Sequence, residues 1–197
     1  MDEPVGTPKR ALIVVDVQPT FCEGGALAVE GGNAVARAVA DYAAAHRDRY
    51  GLVVTTQDWH IDPGEHFSST PDYVDTWPPH AVVGTPEAEL HPALADLRPD
   101  VSVRKGEYAA AYSGFEGVDA DGRALGGVLA DAGVTDVDVV GIAESHCVRA
   151  TTLDALTLGL RARVLTDLTV PVTAEQGAAA REAMAAAGAE LVDSRTL

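Results

Sequence analysis

A chain of 197 residues, 47% hydrophobic and 5% aromatic, has the length for one α/β domain with a continuous core, and that composition excludes a disordered polypeptide. Thirty acidic against fourteen basic residues give a formal net charge of -16; such a surface repels nucleic-acid phosphates and anionic membranes and leaves a small neutral molecule as the most easily accommodated partner. The polar start, Met1–Arg10, and the lack of a long apolar run predict a cytoplasmic protein without signal peptide or membrane span, in which the two cysteines, Cys22 and Cys147, stay unpaired.

In chain order, Ala11–Val15 is a short apolar run ending at Asp16, and Leu52–Thr56 is another ending just before Gln57-Asp58. Both have the pattern of strands buried on two faces. Val101–Val103, Val137–Val140, Ala162–Leu165 and Glu190–Val192 are further strand candidates. Helical stretches lie between them at Gly31–Asp48, Ala124–Ala132, Cys147–Leu158 and Thr173–Ala187. The alternation predicts a single-domain, three-layer α/β/α fold over residues 1–197, with a mostly parallel six-stranded sheet. Trp59–Asp100 breaks the pattern: it holds most of the chain's eleven prolines, and an irregular segment of that length in a compact domain is usually functional.

Ligands of open α/β sheets bind outside the carboxyl ends of the strands. Asp16, Asp58, Lys105 and Cys147 all fall there, so four separate segments converge on one edge. Cys147 follows Gly141-Ile-Ala-Glu-Ser-His146, a strand-to-helix turn; the first turn of a helix, with a nearby Lys105, favours a thiolate. Cys22, in Phe21-Cys-Glu-Gly-Gly25, lacks an activating neighbour and reads as a structural thiol. Asp58-Trp59-His60 puts a carboxylate and an imidazole on one face of an extended backbone, with His66 and His80 following in the irregular segment. One carboxylate with two or three imidazoles suits one divalent zinc, iron or manganese ion. His46 and His91 read as surface residues.

These stretches resemble the isochorismatase-like hydrolase superfamily and, within it, the nicotinamidase/pyrazinamidase family. The resemblance rests on Ala11-Leu-Ile-Val-Val-Asp-Val-Gln18 with Phe21–Gly25, Asp58-Trp-His-Ile-Asp-Pro-Gly-Glu-His66, Trp77-Pro-Pro-His80 with Gly84-Thr-Pro86, Lys105-Gly106 with Tyr112-Ser-Gly-Phe115, and Gly141–Val148, in the family's order over roughly 11–193. It implies a catalytic trio of Asp16, Lys105 and Cys147 and metal ligands Asp58, His60, His80 and, in one subgroup, His66. It also implies an oxyanion hole from the backbone N–H groups of Ala143 and Cys147, a cis Ile142–Ala143 peptide, and a substrate pocket using Phe21, Trp77, Tyr112, Ile142 and His146. The implied reaction is hydrolysis of nicotinamide to nicotinate and ammonia in NAD salvage, through a cysteine thioester. Two departures stand out: Glu144-Ser145 where many relatives carry Thr-Asp or Ser-Asp, and Pro19-Thr20 where they carry Asn-Asp.

Two other readings remain open at this point. One is an amidase of the same superfamily acting on a carbamoyl or ureido substrate, whose members commonly lack the complete metal set. The other is a non-enzymatic metal-binding or interaction domain on the same fold. Monomer and homo-oligomer are equally compatible with the sequence.

Overall fold

The computed structural model describes residues 9–197; the reading of Met1–Pro8 as a polar start lies outside the described residues. All six predicted strands form, as β1 (Lys9–Val15), β2 (Leu52–Asp58), β3 (Val101–Lys105), β4 (Val134–Ile142), β5 (Arg161–Val170) and β6 (Glu190–Val192). They pair in parallel throughout, in the order β3-β2-β1-β4-β5-β6. The helices are α1 (Gly32–Ala45), α2 (Leu125–Asp131), α3 (Arg149–Thr157) and α4 (Ala174–Ala186). None is long and apolar enough to cross a membrane.

Alternation along β1 builds two cores. Leu12 and Val14 pack with Val35, Val39 and Tyr42 of α1. Ala11, Ile13 and Val15 face the other way, toward Leu125 and Leu129 of α2, Ala155 of α3, and Ala180 and Met184 of α4. A strand covered on both faces has no polar side, so Ala11–Val15 is apolar throughout and fully buried. Each large aliphatic side chain so buried contributes about 1.5–3 kcal/mol.

β4 runs past both ends of its predicted core, Val137–Val140, because two aspartates hide its start. Asp138, fully buried, accepts hydrogen bonds from Arg10 Nη1 at 2.5 Å, Tyr50 Oη at 2.7 Å and Arg163 Nη2 at 2.7 Å. Asp136 pairs with Arg10 at 3.0 Å and Arg161 at 2.7 Å. Charge in the sequence thus masks a strand whose charges are neutralised by its neighbours. At its other end, α1 stops three residues before the expected Asp48, and Arg47–Arg49 forms a 3-10 turn in which Arg47 donates to the Tyr50 carbonyl at 2.8 Å.

The predicted helix starting at Cys147 is different in kind. A π-helical turn, Glu144–Val148, precedes α3, with the Ala143 carbonyl accepting from both His146 N at 3.0 Å and Val148 N at 3.1 Å. Cys147 therefore sits inside a widened turn, a feature that recurs at functional sites. The Ile142–Ala143 peptide leading into it is cis.

The strand order reverses between β1 and β4, the switch point at whose carboxyl edge a crevice opens. There Val15 is the register partner of both Thr56 and Gly141, while Asp58 partners Lys105. Gly141 has φ +117°, and a Cβ on it would lie 2.0 Å from the Val15 carbonyl oxygen, so only glycine lets the two strands meet at this point. Trp59–Asp100 is irregular as expected, carrying short 3-10 turns and the isolated bridges His60↔Val82 and Phe67↔Trp77.

Candidate active site

Four strand ends deliver Asp16, Asp58, Lys105 and the turn bearing Cys147 to the crevice. Asp16 takes a left-handed backbone, φ +46°, unusual for a non-glycine residue and costly unless its surroundings hold it. Thr56 supplies that hold, its hydroxyl donating to Asp16 Oδ1 at 2.6 Å. The Lys105 ammonium lies 2.9 Å from Asp16 Oδ2, pairs with Asp58 Oδ1 and stands 3.8 Å from Cys147 Sγ. Candidate ligand atoms of Asp16, Asp58 and Cys147 all lie within 4.8 Å of one another.

The two carboxylates sharing Lys105 are driven apart. For both, burial is the largest influence and favours the protonated form. In Asp58, the Lys105 cation overcomes it and holds the carboxyl well below its ordinary value. In Asp16, burial prevails over Lys105, assisted by the Asp58 charge, and proton affinity rises. A permanent carboxylate beside one with raised proton affinity is a division of labour suited to acid–base chemistry. Lys105 itself is held protonated, since the neighbouring carboxyl groups of Asp16 and Asp58 outweigh its burial.

Cys147 behaves otherwise than its place in the sequence implies. Burial raises the thiol well above its ordinary value, Lys105 opposes this, and Asp16 and Asp58 add to it. The resting sulfur is thus a neutral thiol, and its proton must leave as it reacts. Cys22 is buried in the core, where burial and Glu23 push it up to about 11.

His60, His66 and His80 form a second buried cluster, with candidate ligand atoms also within 4.8 Å of one another. His60 Nδ1 lies 2.6 Å from the Gly106 carbonyl and His80 Nδ1 2.8 Å from the Pro78 carbonyl. Carbonyls only accept, so both rings carry their proton on Nδ1 and leave Nε2 as a lone pair. Those two Nε2 atoms face each other at 3.2 Å, and Asp58 Oδ2 lies 3.7 and 3.8 Å from them. His66 Nδ1 is buried without a hydrogen-bond partner among the described residues. Burial, the largest influence, keeps His80 at about 4 and lowers His66, so neither ring is a cation at neutral pH. Converging neutral nitrogens and a carboxylate fit a divalent cation by charge and donor type.

Above these clusters lies a mainly apolar cavity of about 300 Å³, lined by Phe21, Trp77 and Tyr112 together with Asp58, His66, His80, Ala143, His146 and Cys147. Phe21 stands against His80, ring centroids 5.9 Å apart, and Trp77 against His146 at 5.6 Å. Trp77 Nε1 donates to Tyr112 Oη at 3.0 Å, and Ser145 Oγ, 2.9 Å from His146 Nδ1, fixes that ring. Ile142 is a correction: its side chain is fully buried among Leu12, Val14 and Val140 in the sheet core and does not line the cavity.

The sequence reading missed the wall made by Ala26–Val29, Tyr73, Ala111 and Val172, and it missed Gln18. The Gln18 amide is a buried clamp, donating to the Asp58 and Ala88 carbonyls at 2.9 and 2.8 Å and accepting from Asp58 N at 2.9 Å. A glutamine three residues past the end of an apolar strand was the signal available. Thr20, the second residue of the Pro19-Thr20 departure, accepts from Ala81 N at 3.2 Å and donates to Glu87 at 2.9 Å, tying the Phe21 turn to the loop of His80.

The isochorismatase domain model matches residues 10–196. The chain belongs to the isochorismatase domain family. Within that family it is 57% identical to the nicotinamidase/pyrazinamidase of Mycobacterium tuberculosis, over 94% of this chain and 99% of the relative. Among solved structures, the Pyrococcus horikoshii pyrazinamidase in complex with zinc superposes with a TM-score of 0.82 at 36% identity, covering 94% of this chain and 99% of that one. The PnC1 protein of L. infantum in complex with nicotinate gives 0.83 at 33% identity, covering 96% and 94%. The isochorismatase-type sheet therefore carries, in this chain, an acid–base–thiol cluster and a metal-type cluster joined through Asp58.

Removing the cation at the centre is expected to be costly. Lys105→Met leaves Asp16 and Asp58 buried and unneutralised, so urea unfolding of the metal-free protein should show a loss of about 3–5 kcal/mol. Wild-type stability in that variant would show that the lysine carries no such burden.

Proposed function

We infer that the protein is an amide hydrolase of the nicotinamidase type, converting nicotinamide to nicotinate and ammonia in the salvage of NAD. The observation that carries this reading is that one apolar, aromatic-walled cavity is lined at once by the Cys147 thiol and by Asp58, His66 and His80. A flat ring with an amide on one side and a basic nitrogen on another matches both.

A ring lodged between Phe21 and Trp77 stacks on apolar walls and presents its carboxamide to Cys147. Asp16, whose proton affinity is raised, takes the thiol proton while Sγ attacks the carbonyl carbon. The Ala143 and Cys147 backbone N–H groups receive the developing oxyanion. Collapse expels the amine, Asp16 returns the proton to it, and ammonia leaves a Cys147 thioester. Asp16 then takes a proton from the attacking water, the C–S bond breaks, nicotinate departs, and the sulfur recovers its proton. Lys105 stays protonated and serves as a fixed charge.

His60, His66, His80 and Asp58 would hold the divalent ion. Bound there, zinc, iron or manganese supplies a Lewis acid able to bind a ring nitrogen and to acidify water.

Ammonia release from nicotinamide tests the activity directly. Benzamide keeps the ring and the amide but lacks the nitrogen, and its kcat/KM should be lower by at least about tenfold, or about 1.4 kcal/mol. Equal efficiency for the two would remove the role of the ring nitrogen, and a preference for an aliphatic ureido or carbamoyl amide would overturn the assignment.

A further inference from the structure

Glu144, one of the sequence departures, opens the π-helical turn that carries Cys147 three residues later, and its side chain is fully buried. Thr169 Oγ1 donates to its Oε2 at 2.5 Å. Arg181 reaches across from α4, its Nη2 donating to Oε2 at 3.1 Å while its Nε stands at ion-pair distance, 2.9 Å, from Oε1, which has no hydrogen-bond partner among the described residues. A charge-assisted hydrogen bond of this kind is stronger than one between neutral groups. The close approach of α4 depends on Gly177, where a Cβ would stand 2.7 Å from Pro171 Cγ and 3.3 Å from Glu144 Oε1.

A carboxylate in this place has the wrong sign for the chemistry beside it. The thiol and the amide start neutral, and negative charge then grows on the Cys147 sulfur and the carbonyl oxygen, next to the turn that Glu144 begins. In a water-poor site an uncancelled charge nearby raises the energy of that state far more than in bulk water. Arg181 is the cation paired with Glu144 among the described residues.

We propose that Arg181, acting through Glu144, is a positioning residue for catalysis: it cancels the carboxylate that would oppose charge at Cys147 and the substrate oxygen. The proposal rests on the amide-hydrolase reading, and the variants Arg181→Met, Arg181→Lys, Glu144→Gln and Glu144→Gln/Arg181→Met test it through kcat, KM, thermal midpoint and the rate of Cys147 alkylation by iodoacetamide. Arg181→Met should lower kcat by about tenfold or more with KM within about twofold, because the bound amide is still neutral. Removing both charges should restore kcat to within about threefold of wild type, and Arg181→Lys should keep most of it.

A purely structural tie would instead lower the thermal midpoint of Arg181→Met and leave kcat per folded molecule unchanged, which overturns the proposal. So does a double variant as slow as the single one. Should Arg181→Met fail to fold, the two variants carrying Glu144→Gln decide: both keep kcat within about threefold if charge balance is the role, and a larger loss rejects it. Alkylation needs no substrate, so it separates the two readings. If wild-type protein leaves nicotinamide intact, the activity assignment fails, while slowed alkylation in Arg181→Met that recovers in the double variant still supports the charge balance.

Discussion

Replacing Cys147 with alanine should lower nicotinamide turnover by at least about a thousandfold while leaving the fold and the metal content unchanged. The sulfur is the thiol among the residues lining the cavity, whereas Asp16 and Lys105 lie fully buried beneath it. Cys147→Ser should be nearly as inactive. A serine hydroxyl is a far weaker acid than a thiol, and a carboxylate is too weak a base to strip it. Mass spectrometry of rapidly quenched wild-type protein should show an acyl adduct on the peptide containing Cys147, which is lost in both variants. Cys22, packed in the core on the α1 side of the sheet, should tolerate Cys22→Ala with near-wild-type turnover. Retention of more than about a tenth of the activity in Cys147→Ala would place the nucleophile elsewhere.

The meeting of Asp16, Asp58, Lys105 and Cys147 was legible because each follows an apolar strand, and parallel strands bring their carboxyl ends to one edge. What pattern does not encode is how charges divide once they meet. Lys105 was expected to favour a thiolate at Cys147, but its pairing with Asp58 makes that one carboxylate part of both clusters, and burial raises the thiol against the lysine. The ends of β4 were obscured for a related reason: Asp136 and Asp138 look like surface residues until Arg10, Arg161 and Arg163 arrive from other strands. The cavity wall at Ala26–Val29, Tyr73 and Val172 comes from turns and loop tips, which have no hydrophobic period to read. Tyr73 has a left-handed backbone, φ +58°, held by Asp72, whose Oδ1 accepts from the backbone N–H groups of Val74, Asp75 and Thr76 at 2.9 Å each. An Asp that caps its own loop is a local signal, but which way the adjoining tyrosine faces is settled only by the folded chain. Ile142, which the resemblance implies for the substrate pocket, is the last β4 residue, and its side chain packs in the core.

One divalent ion per chain should be found in purified protein, and exhaustive chelation should abolish turnover in a manner reversed by adding zinc, iron or manganese. The argument begins with the ring protons. Because Gly106 and Pro78 carbonyls fix the Nδ1 protons of His60 and His80, the facing Nε2 atoms at 3.2 Å have no proton to share, and two such lone pairs repel unless a cation lies between them. Protonating a ring instead is disfavoured, since burial keeps His80 at about 4. Asp58 supplies the negative charge, and Lys105 prevents that carboxyl from being neutralised by a proton. His60→Ala removes one nitrogen and should weaken ion binding by at least about a hundredfold, more than is typical when only a residue supporting a ligand is changed. Wild-type protein should also gain about 2.7 kcal/mol of stability at an ion concentration a hundred times the dissociation constant, and His60→Ala should gain much less at that concentration. His66→Ala separates the three-histidine site from a two-histidine one: retained affinity in that variant would remove His66 from the ligand set while leaving Asp58, His60 and His80. Full turnover by protein shown to be metal-free by elemental analysis would remove the ion from the reaction altogether.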